Sequence, residues 1–309
     1  MRVLVTGACG FIGSQVVKKL LADGHEVVAV DRRQDLLARL APGDPRLVPA
    51  AGDLDDIPAT RTLLADTTPD ALVHLAWYAR PDDYLVSHEN LTSLNMTVRL
   101  IQAALAVGCR KLVLAGTCVE YATVGRPLTE DDPVDPRSLY GGCKHAAWWV
   151  TRSLATAAGA ELSWARVFHL HGPGEDATRL IPWVARELRA GRPVELTDGT
   201  QVRDHLHVSD VAAGFVTLLA RGTSGVFNLC SGQPVTLRQV LETVGEIVGR
   251  RDLLRFGARP HRPGEAMFLA GDSSRLRALS WRPRFGLRDG LLDALGGGGR
   301  QPGPSEREG

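Results

Sequence analysis

Five cysteines in 309 residues, an odd number with no Cys-x-x-Cys pair, leave no basis for a zinc finger or a disulfide framework. Cys9, Cys109, Cys118, Cys143 and Cys230 read as reduced thiols. No excess of charge is present either: 36 basic against 35 acidic side chains give a formal charge of +1. That near-neutrality argues against a nucleic-acid surface and points to a partner met in a local pocket. No apolar run approaches the roughly 18 residues of a membrane span. The stretch Met1 to Gly7 reads as a strand rather than a secretory leader, so a soluble cytoplasmic protein is expected. In such a chain the Asn-x-Thr triplets at Asn90 and Asn95 are chance. Tyrosine and lysine number only four each, so a spaced pair of the two rarely arises by accident.

What is present in quantity is apolar: 44% of the side chains, enough for one large core or one core with a smaller lobe. Short apolar runs at 3–5, 27–30, 47–50, 71–76 and 111–115 alternate with amphipathic stretches of helical length. Such alternation predicts right-handed crossovers and an α/β fold with a doubly wound parallel sheet. Near-continuous apolar runs such as Ala71-Leu72-Val73-His74-Leu75 place that sheet at the centre. After about residue 170 Gly/Pro-rich turns multiply, at 171–174, 191–193 and 259–264. We therefore expect a Rossmann-type domain over 1–170, a smaller lobe over 171–295 that closes over a cleft, and a disordered Gly-rich tail over 296–309.

Directly after the first predicted strand stands Gly7-Ala8-Cys9-Gly10-Phe11-Ile12-Gly13, and a helix pattern follows. Glycines at this spacing let the backbone turn tightly and approach a pyrophosphate, which the free N–H groups of the helix N-terminus then meet. An ordinary glycine turn is the plainer alternative, but the strand, loop and helix context is complete. The second strand ends in Asp31, where a carboxylate binds the adenosine ribose hydroxyls. Its charge favours NAD(H) over NADP(H), yet Arg32 and Arg33 follow at once and suit a 2′-phosphate. Both coenzymes stay open. Asp53, after the third strand, suits either the adenine amino group or a helix cap.

Tyr140 and Lys144 form a Tyr-x-x-x-Lys pair. At i and i+4 on a helix they share a face, and the lysine charge is expected to favour the phenolate and bring Tyr140 into use as an acid or base near neutrality. Thr117, at the end of the run 111–115, places a hydroxyl where the same reacting oxygen would lie.

Together with His74-Leu75-Ala76, Gly116-Thr117-Cys118-Val119-Glu120-Tyr121, Arg203-Asp204-His205-Leu206-His207-Val208-Ser209-Asp210 and Arg262-Pro263-Gly264-Glu265, these motifs resemble the NAD-dependent epimerase/dehydratase family, the extended short-chain dehydrogenases. The likeness runs from the N-terminus to about residue 292. It implies a Rossmann domain, a nicotinamide cofactor, a nucleoside-diphosphate sugar linked to thymidine or uridine, and the catalytic trio Thr117, Tyr140 and Lys144. It also implies that the cofactor lies against Gly7, Cys9, Gly10, Phe11, Ile12, Gly13, Asp31, Arg32, Asp53, Leu54, Leu75 and Ala76 besides Tyr140 and Lys144. By the same resemblance the arginines at Arg203 and Arg262 contact the substrate's diphosphate or nucleotide, although a lone surface arginine is usually just solvated.

Departures from the family narrow the reaction. Its sugar dehydratases carry Asp-Glu after the threonine, whereas Cys118 and Val119 stand here, so dehydration is disfavoured. His169 and His171 replace a more usual Asn and Tyr. Trp77 leading to Tyr84 and Asn90, with the Gly-Thr-Cys-x-Glu-Tyr run, resembles the 4-ketoreductases of nucleotide-linked 6-deoxyhexoses, with Trp77, Thr117, Cys118 and His169 toward the sugar. Trp77 suits packing at the strand end equally well. Reduction of a C4 ketone is thus expected, with 4-epimerisation and a non-catalytic cofactor sensor as its rivals. The helix after Tyr140 carries Ala146, Ala147, Trp148, Trp149 and Val150, apolar surface suited to a homodimer or to burial under the C-terminal lobe.

Overall fold

The computed structural model describes residues 1–37 and 40–296. Six strands come first: β1 (Arg2–Thr6), β2 (Glu26–Asp31), β3 (Leu47–Ala51), β4 (Ala71–His74), β5 (Lys111–Thr117) and β6 (Glu161–Val167). Seven follow: β7 (His169–His171), β8 (Val194–Glu195), β9 (Val202–His207), β10 (Gly225–Leu229), β11 (Pro234–Thr236), β12 (Leu254–Arg255) and β13 (Phe268–Leu269). Between the early strands lie α1 (Phe11–Ala22), α2 (Gln34–Leu37), α3 (Ile57–Thr67), α4 (Glu89–Ala106) and α5 (Leu139–Ala157). The later helices are α6 (Leu180–Arg189), α7 (Val208–Arg221), α8 (Leu237–Val248), α9 (Ser274–Arg277) and α10 (Leu287–Ala294). No helix among the described residues is long and apolar enough to cross a membrane.

The main sheet has seven parallel strands in the order β10-β6-β5-β4-β1-β2-β3, the doubly wound Rossmann arrangement expected. The inner strands β1, β2, β4 and β5 are mainly apolar because both of their faces are covered, whereas β3 at the edge is largely exposed. Along β1, Val3 and Val5 face α1 and α7, whereas Leu4 faces the other way, toward the layer of α4 and α5. The strand order reverses between β1 and β4. A crevice opens there beyond the carboxyl ends of the strands, the place where open α/β sheets bind ligands.

The chain does not divide at residue 170. After leaving the sheet at β6 it returns to it as β10, and α7 packs on α1 as part of the same core. The reason is the edge at β6, which pairs Ser163 to Val167 with the apolar run Gly225 to Leu229. What remains of the second half is a lobe with its own core, built from the apolar faces of α6, α8 and α10 around Val184, Leu188, Val240, Val244 and Leu291. A small sheet of β7, β9, β11 and β13 joins it to the Rossmann layer. Of the tail expected to be disordered, residues 297–309 lie outside the described residues.

Candidate active site

At the nucleotide end, β1 turns into α1 through the glycine loop. Gly7 has φ +65°, a left-handed conformation that favours glycine, and a Cβ there would lie 2.9 Å from the Ala76 nitrogen. Gly13 is tighter still: a Cβ would stand 2.0 Å from the Gly7 carbonyl oxygen. The loop is held to the end of β4 by the Thr6 hydroxyl, which accepts from the N–H groups of Leu75 and Ala76 at 3.2 and 3.3 Å. Gly10 begins α1 without a side-chain cap, and no acidic residue stands in its first turn. The N–H groups of Phe11, Ile12 and Gly13 are thus free for an anion, so these residues fit a dinucleotide pyrophosphate.

Asp31 is fixed from two sides. Its Oδ2 accepts from the Cys9 N–H at 3.0 Å and its Oδ1 from Arg33 Nε at 3.0 Å, and burial's upward push on this carboxyl is outweighed by these bonds, which leave it below the usual range. Arg33 is therefore folded onto Asp31, while Arg32 stays exposed with its guanidinium 3.8 Å from Asp53. Asp53 is not the cap of α3; Asp56 is, accepting from the Ala59 N–H at 3.1 Å, because it lies three residues ahead of that donor. Leu54 is buried in the core with Leu4, Val28 and Leu64.

At the chemical end, α5 carries Tyr140 and Lys144 alongside Thr117 at the tip of β5. Lys144 is buried; its ammonium donates to the Ala115 carbonyl at 2.8 Å and sits 3.8 Å from the centroid of the Trp77 ring. Burial, only partly opposed by the charge of Glu120, lowers its pKa to about 7. Tyr140 is half-buried, edge-on to Tyr84 at 5.0 Å and to Trp77 at 6.4 Å. Burial, then the neighbouring Tyr84, pushes the phenol up, against a weaker pull from the Thr117 side chain. The expected lowering of Tyr140 by Lys144 is thus not what the folded chain displays. The ammonium is turned to Ala115 and Trp77, and desolvation dominates both groups.

Trp77 does not stand alone. Its Nε1 donates to Asn90 Oδ1 at 2.9 Å, and Asn90 Nδ2 donates to the Tyr84 carbonyl at 2.7 Å. The Tyr140 N–H donates to the Leu85 carbonyl at 3.1 Å, which closes the circuit from the tip of β4 to the start of α5. Cys118 is buried with its thiol raised to about 12, chiefly by burial, and so stays protonated. Arg203 is half-buried near it, donating to Glu265 at 3.3 Å. Arg262, three residues before Glu265, is exposed, and its guanidinium makes no hydrogen bond or ion pair among the described residues.

His169 faces His205 across paired β7 and β9 at 5.6 Å, and burial, followed by the charge of Arg203, lowers its pKa to about 3. It is therefore a neutral imidazole. Two contributors were not singled out from sequence. Arg179, at the start of α6, stacks over Tyr84 at 5.2 Å, and only the fold brings it there. Glu120, fully buried, accepts from the Thr117 N–H at 2.8 Å. Its signal was legible, since Thr117-x-x-Glu120 is the spacing of a capping box, and that box is formed.

A glycine-rich turn at the β1/β4 crevice, facing a strand-end threonine and a Tyr-x-x-x-Lys helix, defines a short-chain dehydrogenase/reductase of the extended type. The chain belongs to the NAD dependent epimerase/dehydratase family, whose sequence model matches residues 3–230. It is accordingly an enzyme of NAD-dependent oxidoreductase type. The UDP-glucose 4-epimerase of Mycolicibacterium smegmatis is 32% identical over 96% of this chain and 97% of its own length. Among solved structures, the Thermus thermophilus UDP-glucose 4-epimerase in complex with NAD superposes with a TM-score of 0.84, at 28% identity over 96% of this chain and 98% of that one. The dTDP-glucose 4,6-dehydratase DesIV of Streptomyces venezuelae, with NAD and TYD bound, gives 0.86 at 28% identity over 96% of each chain.

Proposed function

We propose that this enzyme transfers hydride between a nicotinamide dinucleotide and C4 of a nucleoside-diphosphate hexose, and that its net reaction is reduction of a 4-keto-6-deoxy sugar. Similarity along almost the whole chain to enzymes named for nucleotide sugars supports the substrate class. A protonated Tyr140 phenol suits either direction of hydride transfer. What supports reduction is the run of Trp77, Tyr84 and Asn90, which resembles the 4-ketoreductases and is joined here by hydrogen bonds of 2.9 Å from Trp77 to Asn90 and 2.7 Å from Asn90 to the Tyr84 carbonyl.

The glycine loop, the first turn of α1 and Asp31 would hold the dinucleotide, with Leu75 and Ala76 along its path. NAD(H) is the coenzyme favoured, and NADP(H) remains compatible through exposed Arg32. When bound, the dinucleotide supplies the hydride. Tyr140 would protonate the C4 oxygen, Thr117 would hold that oxygen in place, and Lys144 would bind the nicotinamide ribose. Arg203, at the start of β9, and Arg262, in the turn before β13, would anchor the diphosphate. Cys118 as a protonated thiol and Glu120 turned into the core leave no acid-base pair for eliminating water, which disfavours dehydration.

The second reading is 4-epimerisation with a retained cofactor, favoured by full-length similarity to 4-epimerases. Native mass spectrometry for bound NAD, followed by coenzyme oxidation on a thymidine- or uridine-diphosphate 4-keto-6-deoxyhexose, tests the choice. Stoichiometric NAD(P)H oxidation is expected. Interconversion of nucleotide hexoses by protein carrying its own NAD, with no external coenzyme consumed, would overturn net reduction.

We further propose a homodimer through α4 and α5. Against burial beneath the lobe, α5 packs on α4, β5 and β6 and leaves Trp149 and Val150 exposed, as Leu91 is on α4.

A further inference from the structure

The Lys144 ammonium is buried, yet among the described residues it donates one hydrogen bond, to the Ala115 carbonyl at 2.8 Å, and forms no ion pair. A buried cation with two of its three donors unmet needs another source of attraction. The Trp77 indole supplies it: the Lys144 nitrogen lies 3.8 Å from that ring's centroid, whereas the Tyr140 ring is at 5.9 Å. A ring face attracts the charge as a whole through its quadrupole, and unlike a carboxylate it does not neutralise it. The nitrogen is thus held while N–H donors stay free for ribose hydroxyls.

The ring is in turn fixed by a residue with no exposed surface. Trp77 Nε1 donates to Asn90 Oδ1 at 2.9 Å, and Asn90 Nδ2 donates to the carbonyls of Tyr84 and Ser87 at 2.7 and 2.8 Å. Those carbonyls admit one orientation of the amide, because turning it over would set its oxygen against them and its N–H groups against the indole N–H. Ser93 of α4 holds the next residue, accepting from the Tyr78 N–H at 3.1 Å. We propose that Trp77 and Asn90 are positioning residues for the coenzyme's nicotinamide half: Trp77 holds the Lys144 ammonium in place before the ribose arrives, and Asn90 acts through Trp77 by fixing its ring. The inference rests on the reading of Lys144 as the group that binds the nicotinamide ribose. It gives Trp77 a task toward the coenzyme, separate from any contact with the sugar.

The test uses the full chain with carbon-13-labelled lysine, read by NMR without substrate or coenzyme, together with calorimetric titration by NADH alone. A group over an indole face is shielded by the ring current, so the Lys144 Hε signals are expected upfield of those of the other three lysines, and their loss in Lys144→Met assigns them. In Trp77→Leu the displacement should vanish and the NADH Kd should rise about tenfold, the scale of a desolvated cation–π contact. Trp77→Phe, which keeps a ring face, should lose less. Asn90→Ala should weaken NADH binding in the wild-type background and change nothing further in Trp77→Leu, since its effect passes through the ring. Wild-type Lys144 signals at ordinary lysine positions would overturn the inference. So would a Trp77→Leu protein that melts at lower temperature but binds NADH as the wild type does, because the ring would then only pack. If Trp77→Leu folds poorly, the wild-type spectrum and Trp77→Phe still decide. A Lys144→Met protein with wild-type NADH affinity would instead remove the reading of Lys144, whatever the spectrum of the wild type displays.

Discussion

Replacing Lys144 by Met should make the protein more stable while abolishing its turnover. Lys144 is buried, so its pKa depression is a folding cost. A fall from 10.5 to about 7 corresponds to about 5 kcal/mol at ~1.36 kcal/mol per unit. The hydrogen bond to Ala115 and the Trp77 ring return part of that, and a thioether of similar reach packs without them, so the net gain is about 1–3 kcal/mol. Its pH dependence is the sharper signature. The folded-state pKa lies below the unfolded value, so the unfolded chain binds more protons between the two. The cost is then present in full below about pH 7 and fades as pH rises toward 10.5. Urea or thermal unfolding of both proteins at pH 6.5 and pH 9.5 measures it. Lys144→Met should melt several degrees higher at pH 6.5, at about 2 °C per kcal/mol, with the gap narrowing at pH 9.5. Equal stability at pH 6.5, or a gap indifferent to pH, would refute the assignment of a desolvated ammonium.

Four further outcomes are expected. Tyr140→Phe should lose about 100- to 10,000-fold in turnover with coenzyme affinity nearly unchanged, and full activity would remove the phenol from the chemistry. Gly13→Ala drives a methyl to 2.0 Å from the Gly7 carbonyl; calorimetry should find coenzyme binding weakened tenfold or more, and wild-type affinity would mean that the loop does not hold the pyrophosphate. Arg33→Ala frees the Asp31 carboxylate, so selectivity for NAD over NADP, read from the two Kd values, should rise; a shift toward NADP would contradict the ion pair's role. Trp149→Glu places a charge on the exposed face of α5, and light scattering should record monomers; an unchanged mass in solution would move the interface elsewhere.

The Rossmann half was legible because its signals are local. The glycine loop, the apolar runs and the Tyr140 to Lys144 spacing each fall within a few residues, and each took the place expected of it in the fold. What escaped depends on residues far apart in the chain. That β10 completes the sheet requires knowing that β6 would otherwise be an edge. The orientation of Lys144 requires the Trp77 ring, which is set by Asn90 thirteen residues on. The raised pKa of Tyr140 escapes the sequence for a related reason: a sequence shows the charge next door, but desolvation belongs to the assembled site. Glu120 is an exception, since its capping-box spacing to Thr117 is as local as the Tyr-x-x-x-Lys pair.

The return of the chain to the sheet as β10 constrains how this protein is made. The Rossmann layer cannot close when residue 170 leaves the ribosome: β6 then presents unpaired N–H and C=O groups along its length, and α1 lacks the helix that covers it. Some sixty residues must be synthesised before that ladder is satisfied. A fragment ending at 170 would carry an open strand edge prone to self-association, so the two halves are expected to be expressed, folded and degraded as one unit.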